Sequence, residues 1–180
     1  MHQVIELHFD DATEQQLFEL IEKLRSAGLD ESKAIPGVRP HITLASSEGR
    51  QLDSIQSQLT NLFSRFHPIA VQLSTVGLFP KSNGNLVMYL GPAANLSLCG
   101  WHSELFRLLD SEGTKCFDFT RPELAVFHST LSHDLPKTKL RDAVDIAISR
   151  LPILGRVTRV VVVEYLPARE KIAFELDGDA

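Results

Sequence analysis

The stretch "RPHITLASS" at positions 39–47 decides how this chain is read, because it has a counterpart in "VFHSTLSHD" at 126–134. Side chains on a strand alternate between faces, so residues two apart point the same way. His41 and Thr43 therefore share one face, with Ile42 and Leu44 turned toward a core. His128 and Thr130 share a face in the same manner. A single His-x-Thr-Leu tetrapeptide means little, but two in corresponding parts of one chain ask for an explanation.

Outward from the motifs, strand and helix patterns repeat in one order. "VIELHF" (4–9) alternates like a strand, placing Val4, Glu6 and His8 on one side and Ile5, Leu7 and Phe9 on the other. A helix follows, with Thr13 and Gln16 as a capping box, Leu17, Leu20, Ile21 and Leu24 at helical spacing, and Gly28 as its stop. After the first motif come a helix near 52–63 and two strands, "IAVQLSTVGLF" and "NLVMYLG", joined by "PKSNGN". The second half shows a helix over 95–110 (Leu98, Trp101, Leu105, Leu108), the second motif, and a helix from about Pro136 (Leu140, Val144, Ile148). It closes with the strands "GRVTRVVVVEYL" and "KIAFEL". From His41 to Ile69 is 28 positions and from His128 to Val157 is 29; His41 to Leu86 is 45 and His128 to Ile172 is 44. This is the mark of an internal duplication, about 1–91 and 92–180, rather than of a solenoid. No linker separates the halves, so 1–180 is expected to form a single bilobal domain with the two motifs meeting in a cleft.

Composition narrows the function. Of 180 residues, 43% are hydrophobic and 23% charged, an ordinary globular balance. No apolar run reaches the ~18 residues of a membrane span, and the N-terminal "MHQVIELHFDD" has no signal-peptide pattern, so a cytoplasmic protein is expected. Cys99 and Cys116 are too few for a disulfide framework or metal knuckle. With net charge −5, pI near 5.8 and no Lys/Arg cluster, the chain is not expected to grip duplex DNA. A small or end-only ligand suits it better.

Two imidazoles and two hydroxyls around one space suit phosphodiester chemistry. In-line attack on phosphorus needs a base for the nucleophile's proton and an acid for the leaving oxygen. Histidine, with an ordinary pKa of about 6.5, serves as either, each contributing on the order of 10²–10⁴-fold. Threonine hydroxyls can donate to the non-bridging oxygens. No metal or other cofactor is signalled: the carboxylates near the motifs follow no ligand spacing, and neither a nucleophile elbow nor a Gly-rich phosphate loop is present. His8, His67, His102 and His133 read as structural; His133, five positions after His128, falls on the opposite face of a regular strand.

With these residues in hand, the chain resembles the 2H phosphoesterase superfamily, in its RNA 2′,5′-ligase-like, 2′,3′-cyclic phosphodiesterase branch. The resemblance covers nearly the whole chain and rests on both His-x-Thr-Leu motifs, the "RPHITL" context and the "VGLFP…NLVMYLGP" strand pair. It implies a bilobal α+β fold, with two antiparallel sheets lining a central cleft and helices outside. It implies a hydrolase that opens 2′,3′-cyclic phosphates to 2′-phosphates without a metal, some members also joining RNA ends by a 2′,5′ bond. By motif position, His41 would donate a proton to the departing 3′ oxygen, His128 would activate water, and Thr43 and Thr130 would hold the phosphate. The sequence itself is symmetric between the two histidines. The chain departs from the pattern in having Val126-Phe127 before His128, where proline is common, and small residues after both motifs. Arg39, Lys81, Phe79 and Phe127 are further candidates for substrate contact. A monomer acting on a small nucleotide or RNA end is the leading expectation. A non-catalytic module that binds phosphorylated or cyclic-phosphate ends, and a hydrolase of another small cyclic phosphodiester, are the alternatives.

Overall fold

Four consecutive valines, Val160–Val163, are all buried, which on a strand means that both faces are covered. In the computed structural model, which describes residues 2–33 and 35–178, these valines lie on β6 (Ile153–Glu164), the strand around which the others are arranged. The remaining strands are β1 (His2–Phe9), β2 (His41–Glu48), β3 (Ile69–Pro80), β4 (Leu86–Pro92), β5 (Ser129–Leu135) and β7 (Arg169–Glu175). The helices are α1 (Asp11–Ser26), α2 (Gln56–Phe63), α3 (Leu96–Ser111) and α4 (Leu140–Ile148). The fold is α+β and every strand pairing is antiparallel.

Two separate sheets are expected from the resemblance, but hydrogen bonding runs through all seven strands in the order β2-β1-β6-β3-β4-β5, with β7 also on β6. The reason is the length of β6. Along one edge it pairs with β1; along the other it pairs first with β3, through Ile153–Val157, and then with β7, through Arg159–Glu164. Two arms of one sheet result, and each mixes the sequence halves. β1 and β2 lie with β6 and β7 from the end of the chain, while β3 and β4 take β5 from the second half. The sheet curls until its edge strands β2 and β5 approach each other.

Local chemistry explains the helices and corrects their expected ends. α1 is capped by Asp10, not by Thr13: the Asp10 side chain accepts from the Thr13 backbone N–H at 2.8 Å and from the Arg156 N–H at 2.7 Å. Thr13 is instead buried in the first turn, and Gln16 donates to the Ala12 carbonyl. α3 begins after Asn95, which caps Leu98 N–H, and buries Leu109 where Leu108 is expected. Pro136 opens a short 3₁₀ turn, so α4 starts only at Leu140 and buries Ala143 and Ala147, leaving Ile148 exposed. Among the described residues no helix is long and apolar enough to cross a membrane.

The double tie from Asp10 to Arg156 brings the start of α1 down onto β6, against Gly155. A Cβ at Gly155 would overlap the Thr13 side chain. Gly155→Ala is therefore expected to lower stability by about 1–3 kcal/mol in urea unfolding. A midpoint equal to wild type would show that this contact yields freely.

Candidate active site

Each motif sits on an edge strand. His41 is the first residue of β2 and His128 immediately precedes β5. The alternation read from sequence holds through the motifs: His41, Thr43, His128 and Thr130 are half-buried, while Ile42, Leu44, Ser129 and Leu131 are buried. All four motif side chains line one cleft of about 280 Å³, together with Val38, Phe119, Val126 and Tyr165.

Both rings are held in the same way. His41 Nδ1–H donates to the Arg39 carbonyl at 2.7 Å, and His128 Nδ1–H donates to the Val126 carbonyl at 2.6 Å. A carbonyl only accepts, so the proton of each neutral ring is on Nδ1. Nε2 is then the nitrogen left to exchange a proton.

The strands share a second feature. Opposite β1, Thr43 pairs with Glu6 but Ala45 pairs with Ile5; opposite β4, Thr130 pairs with Tyr89 but Ser132 pairs with Met88. One extra residue is thus inserted just after each threonine, and the adjacent pairs Leu44-Ala45 and Leu131-Ser132 are all buried. Such a bulge shifts the alternation by one and bends the strand. This corrects the reading of His133: the bulge turns it onto the motif's own face, and it lines the cleft, as does Ser46 in the corresponding place.

The surroundings of the two histidines differ. His128 packs edge-on to Phe79 at 5.0 Å and against Tyr89 at 4.9 Å. Burial there pushes its pKa below the ordinary imidazole value, against the Val126 hydrogen bond, and the charge of His41 adds to the push. Beside His41 lies Glu6, 2% exposed, with Oε2 3.6 Å from His41 Nδ1. Glu6 also accepts from Tyr165 O–H at 2.6 Å and lies 3.0 Å from His8 Nε2. Burial works against its charge, but His41, His8 and Tyr165 together outweigh that and hold the Glu6 carboxyl below the usual range. Burial, reinforced by Glu6, pushes the Tyr165 phenol far up.

The additional candidates fare unevenly. Arg39 is engaged by Glu14, with Nε to Oε1 at 2.7 Å and a second, shorter bond between Nη2 and Oε2. It borders a smaller adjoining cavity of about 140 Å³ rather than the main cleft. Lys81 is tied to Asp134 and to the His133 carbonyl. Phe79 supports His128 from outside the cleft, and Phe127 packs on His102 at 5.0 Å. His102, itself buried, donates to the Thr120 carbonyl and so anchors the cleft wall that carries Phe119. Among the described residues no group of three His, Cys, Asp or Glu is arranged to hold a metal ion.

The model of the 2′-5′ RNA ligase superfamily matches residues 9–169. The chain belongs to that superfamily, the 2H phosphoesterases. Its fold is similar to that of E. coli LigT in complex with 3′-AMP (16% identity, 98% of each chain, TM-score 0.65). It is also similar to TT0787 of Thermus thermophilus (18%, 100% of each chain, 0.62). A third solved structure, Kluyveromyces marxianus Usb1, shares 11% identity over 97% of this chain and 98% of its own, at a TM-score of 0.52. No curated protein sequence matches. Within this superfamily of phosphoesterases and ligases, the site to be explained is the paired-histidine cleft.

If burial beside the rings depresses His128, thinning them should reverse it. In Phe79→Ala the His128 ring is expected to titrate closer to the ordinary value of about 6.5, followed by its C–H resonance in NMR. An unchanged midpoint would mean that the ring plays no part.

Proposed function

We propose that this chain is a metal-independent phosphodiesterase that opens 2′,3′-cyclic phosphates to 2′-phosphates. The observation that carries the reading is the matched anchoring of two imidazoles, each fixed through Nδ1, on facing edge strands of one cleft. Water attacks phosphorus and gives its proton to His128 Nε2. The bond from phosphorus to the 3′ oxygen breaks, and that oxygen takes the proton from His41 Nε2. Thr43 and Thr130 donate to the non-bridging oxygens, where negative charge concentrates. One water is consumed, and a 2′-phosphate and a 3′-hydroxyl are released.

Size and charge favour a small substrate. The cleft, at about 280 Å³, lies at the low end of small-molecule pockets. Among the described residues that line it none is Lys or Arg, and the basic residues close by, Arg25, Lys33 and Arg39, border the adjoining cavity, whereas a long polyanion is gripped by several such contacts. E. coli LigT is solved with 3′-AMP, and a ligand of that kind, one base with one sugar and one phosphate, or the terminal nucleotide of an RNA, is proposed here.

The test is turnover of 2′,3′-cyclic nucleotides and of a short RNA with a 2′,3′-cyclic end, in EDTA, with product read by phosphorus NMR. Wild type is expected to give the 2′-phosphate. His41→Ala and His128→Ala are expected to lose on the order of 10²-fold or more each while remaining folded. Retained turnover in either variant would refute the mechanism. Binding of the RNA end without turnover by wild type would support a recognition module instead.

A further inference from the structure

The two motifs are alike in sequence but differ in what stands behind them. In the β1–β2 register Glu6 faces Thr43; in the β4–β5 register Tyr89 faces Thr130, and the same bulge follows each threonine. Glu6 and Tyr89 thus occupy corresponding places, one with a carboxylate and the other with an aromatic ring.

A buried carboxylate is costly to ionise unless donors and a positive charge answer it. Tyr165 O–H supplies one donor at 2.6 Å. His8 supplies another. It is 1% exposed, and its Nδ1 has no hydrogen-bond partner among the described residues, the nearest carboxylate being Glu170 at 3.9 Å. Its Nε2, 3.0 Å from Glu6 Oε2, is placed to donate to that carboxylate. These two donors fix the carboxylate beside His41.

Other charged groups near His41 have partners of their own among the described residues. Arg39 is held by Glu14 and lies near Glu170, and Arg159 pairs with Glu170 and Glu175. His133 and His128 face it across the cleft, and like charge there would oppose its own. The 3.6 Å from Glu6 Oε2 to His41 Nδ1 is too long for a hydrogen bond but short for two opposite charges.

Building on the two-histidine reading, we infer that Glu6 is a positioning residue, the counter-ion facing the positive charge that the His41 ring carries as proton donor. With Tyr89 in the matching place behind His128, the pair breaks the symmetry of the motifs. One histidine is poised to give a proton and the other to take one, an instance of paired groups whose environments separate their roles.

Glu6→Gln preserves shape and an acceptor for Tyr165 while removing the charge. With a 2′,3′-cyclic nucleotide, the alkaline limb of the kcat/KM profile, where the proton donor empties, is expected to fall by about one pH unit or more. The acid limb, where the base fills, should stay. An equal loss at every pH would overturn the inference, because a purely structural residue would act that way. NMR of the substrate-free protein separates this from the choice of substrate: the His41 ring midpoint should fall in Glu6→Gln even if no cyclic phosphate is turned over. An unmoved midpoint refutes the counter-ion role whatever the activity. In wild-type protein, which needs no variant to fold, the Glu6 carboxyl ¹³C resonance should inflect at the His41 midpoint, and a flat trace there would also refute it.

Discussion

The pairing of β6 with β1 on one edge, and with β3 and then β7 on the other, keeps a single hydrogen-bond ladder running from β2 to β5. Such a ladder has two ends, and an exposed sheet edge carries backbone groups ready to pair with another chain. Here the sheet curls so that the edges meet across a seam. That seam is the cleft. Placing one motif on each edge strand brings two histidines from distant parts of the sequence to one small volume, with backbone carbonyls to hold both rings.

The bulge after each threonine refines this arrangement. Without it, the residue five after each histidine would return to the core side. With it, Ser46 and His133 join the cleft, while the buried pairs Leu44-Ala45 and Leu131-Ser132 anchor the bend. The shared bulge keeps the two motifs comparable, while β5 carries a further register shift between Ser132 and Leu135 that β2 lacks. The contrast between Glu6 and Tyr89 is therefore one of chemistry at equivalent sites rather than of geometry.

Much of this is legible in the sequence, for physical reasons. The period-two pattern of His-Ile-Thr-Leu and His-Ser-Thr-Leu correctly places the four motif side chains on one side of their strands. The apolar periodicity locates the helices. Glu6 escapes notice because its alternation with Val4 and His8 looks like a solvated strand face; only β2, β6 and Tyr165, all distant in sequence, close over it. His133 is misread because a bulge changes phase without leaving a glycine to mark it. The ties from Arg39 to Glu14 and from Lys81 to Asp134 are equally hidden, since they join residues 25 and 53 positions apart.

The mixing of the sequence halves within each arm has a consequence for how the chain acquires its form. β1 and β2 carry Glu6 and His41, yet β1 finds its second neighbour only when β6 is made, more than 140 residues later. Contacts that span so much chain slow the search for the native state, because the loop between them must close before they repay its entropy. A chain emerging from the ribosome would carry His41 long before the sheet that places it was complete. Cutting the molecule between residues 91 and 92 would likewise yield two pieces, each missing strands that complete its sheet.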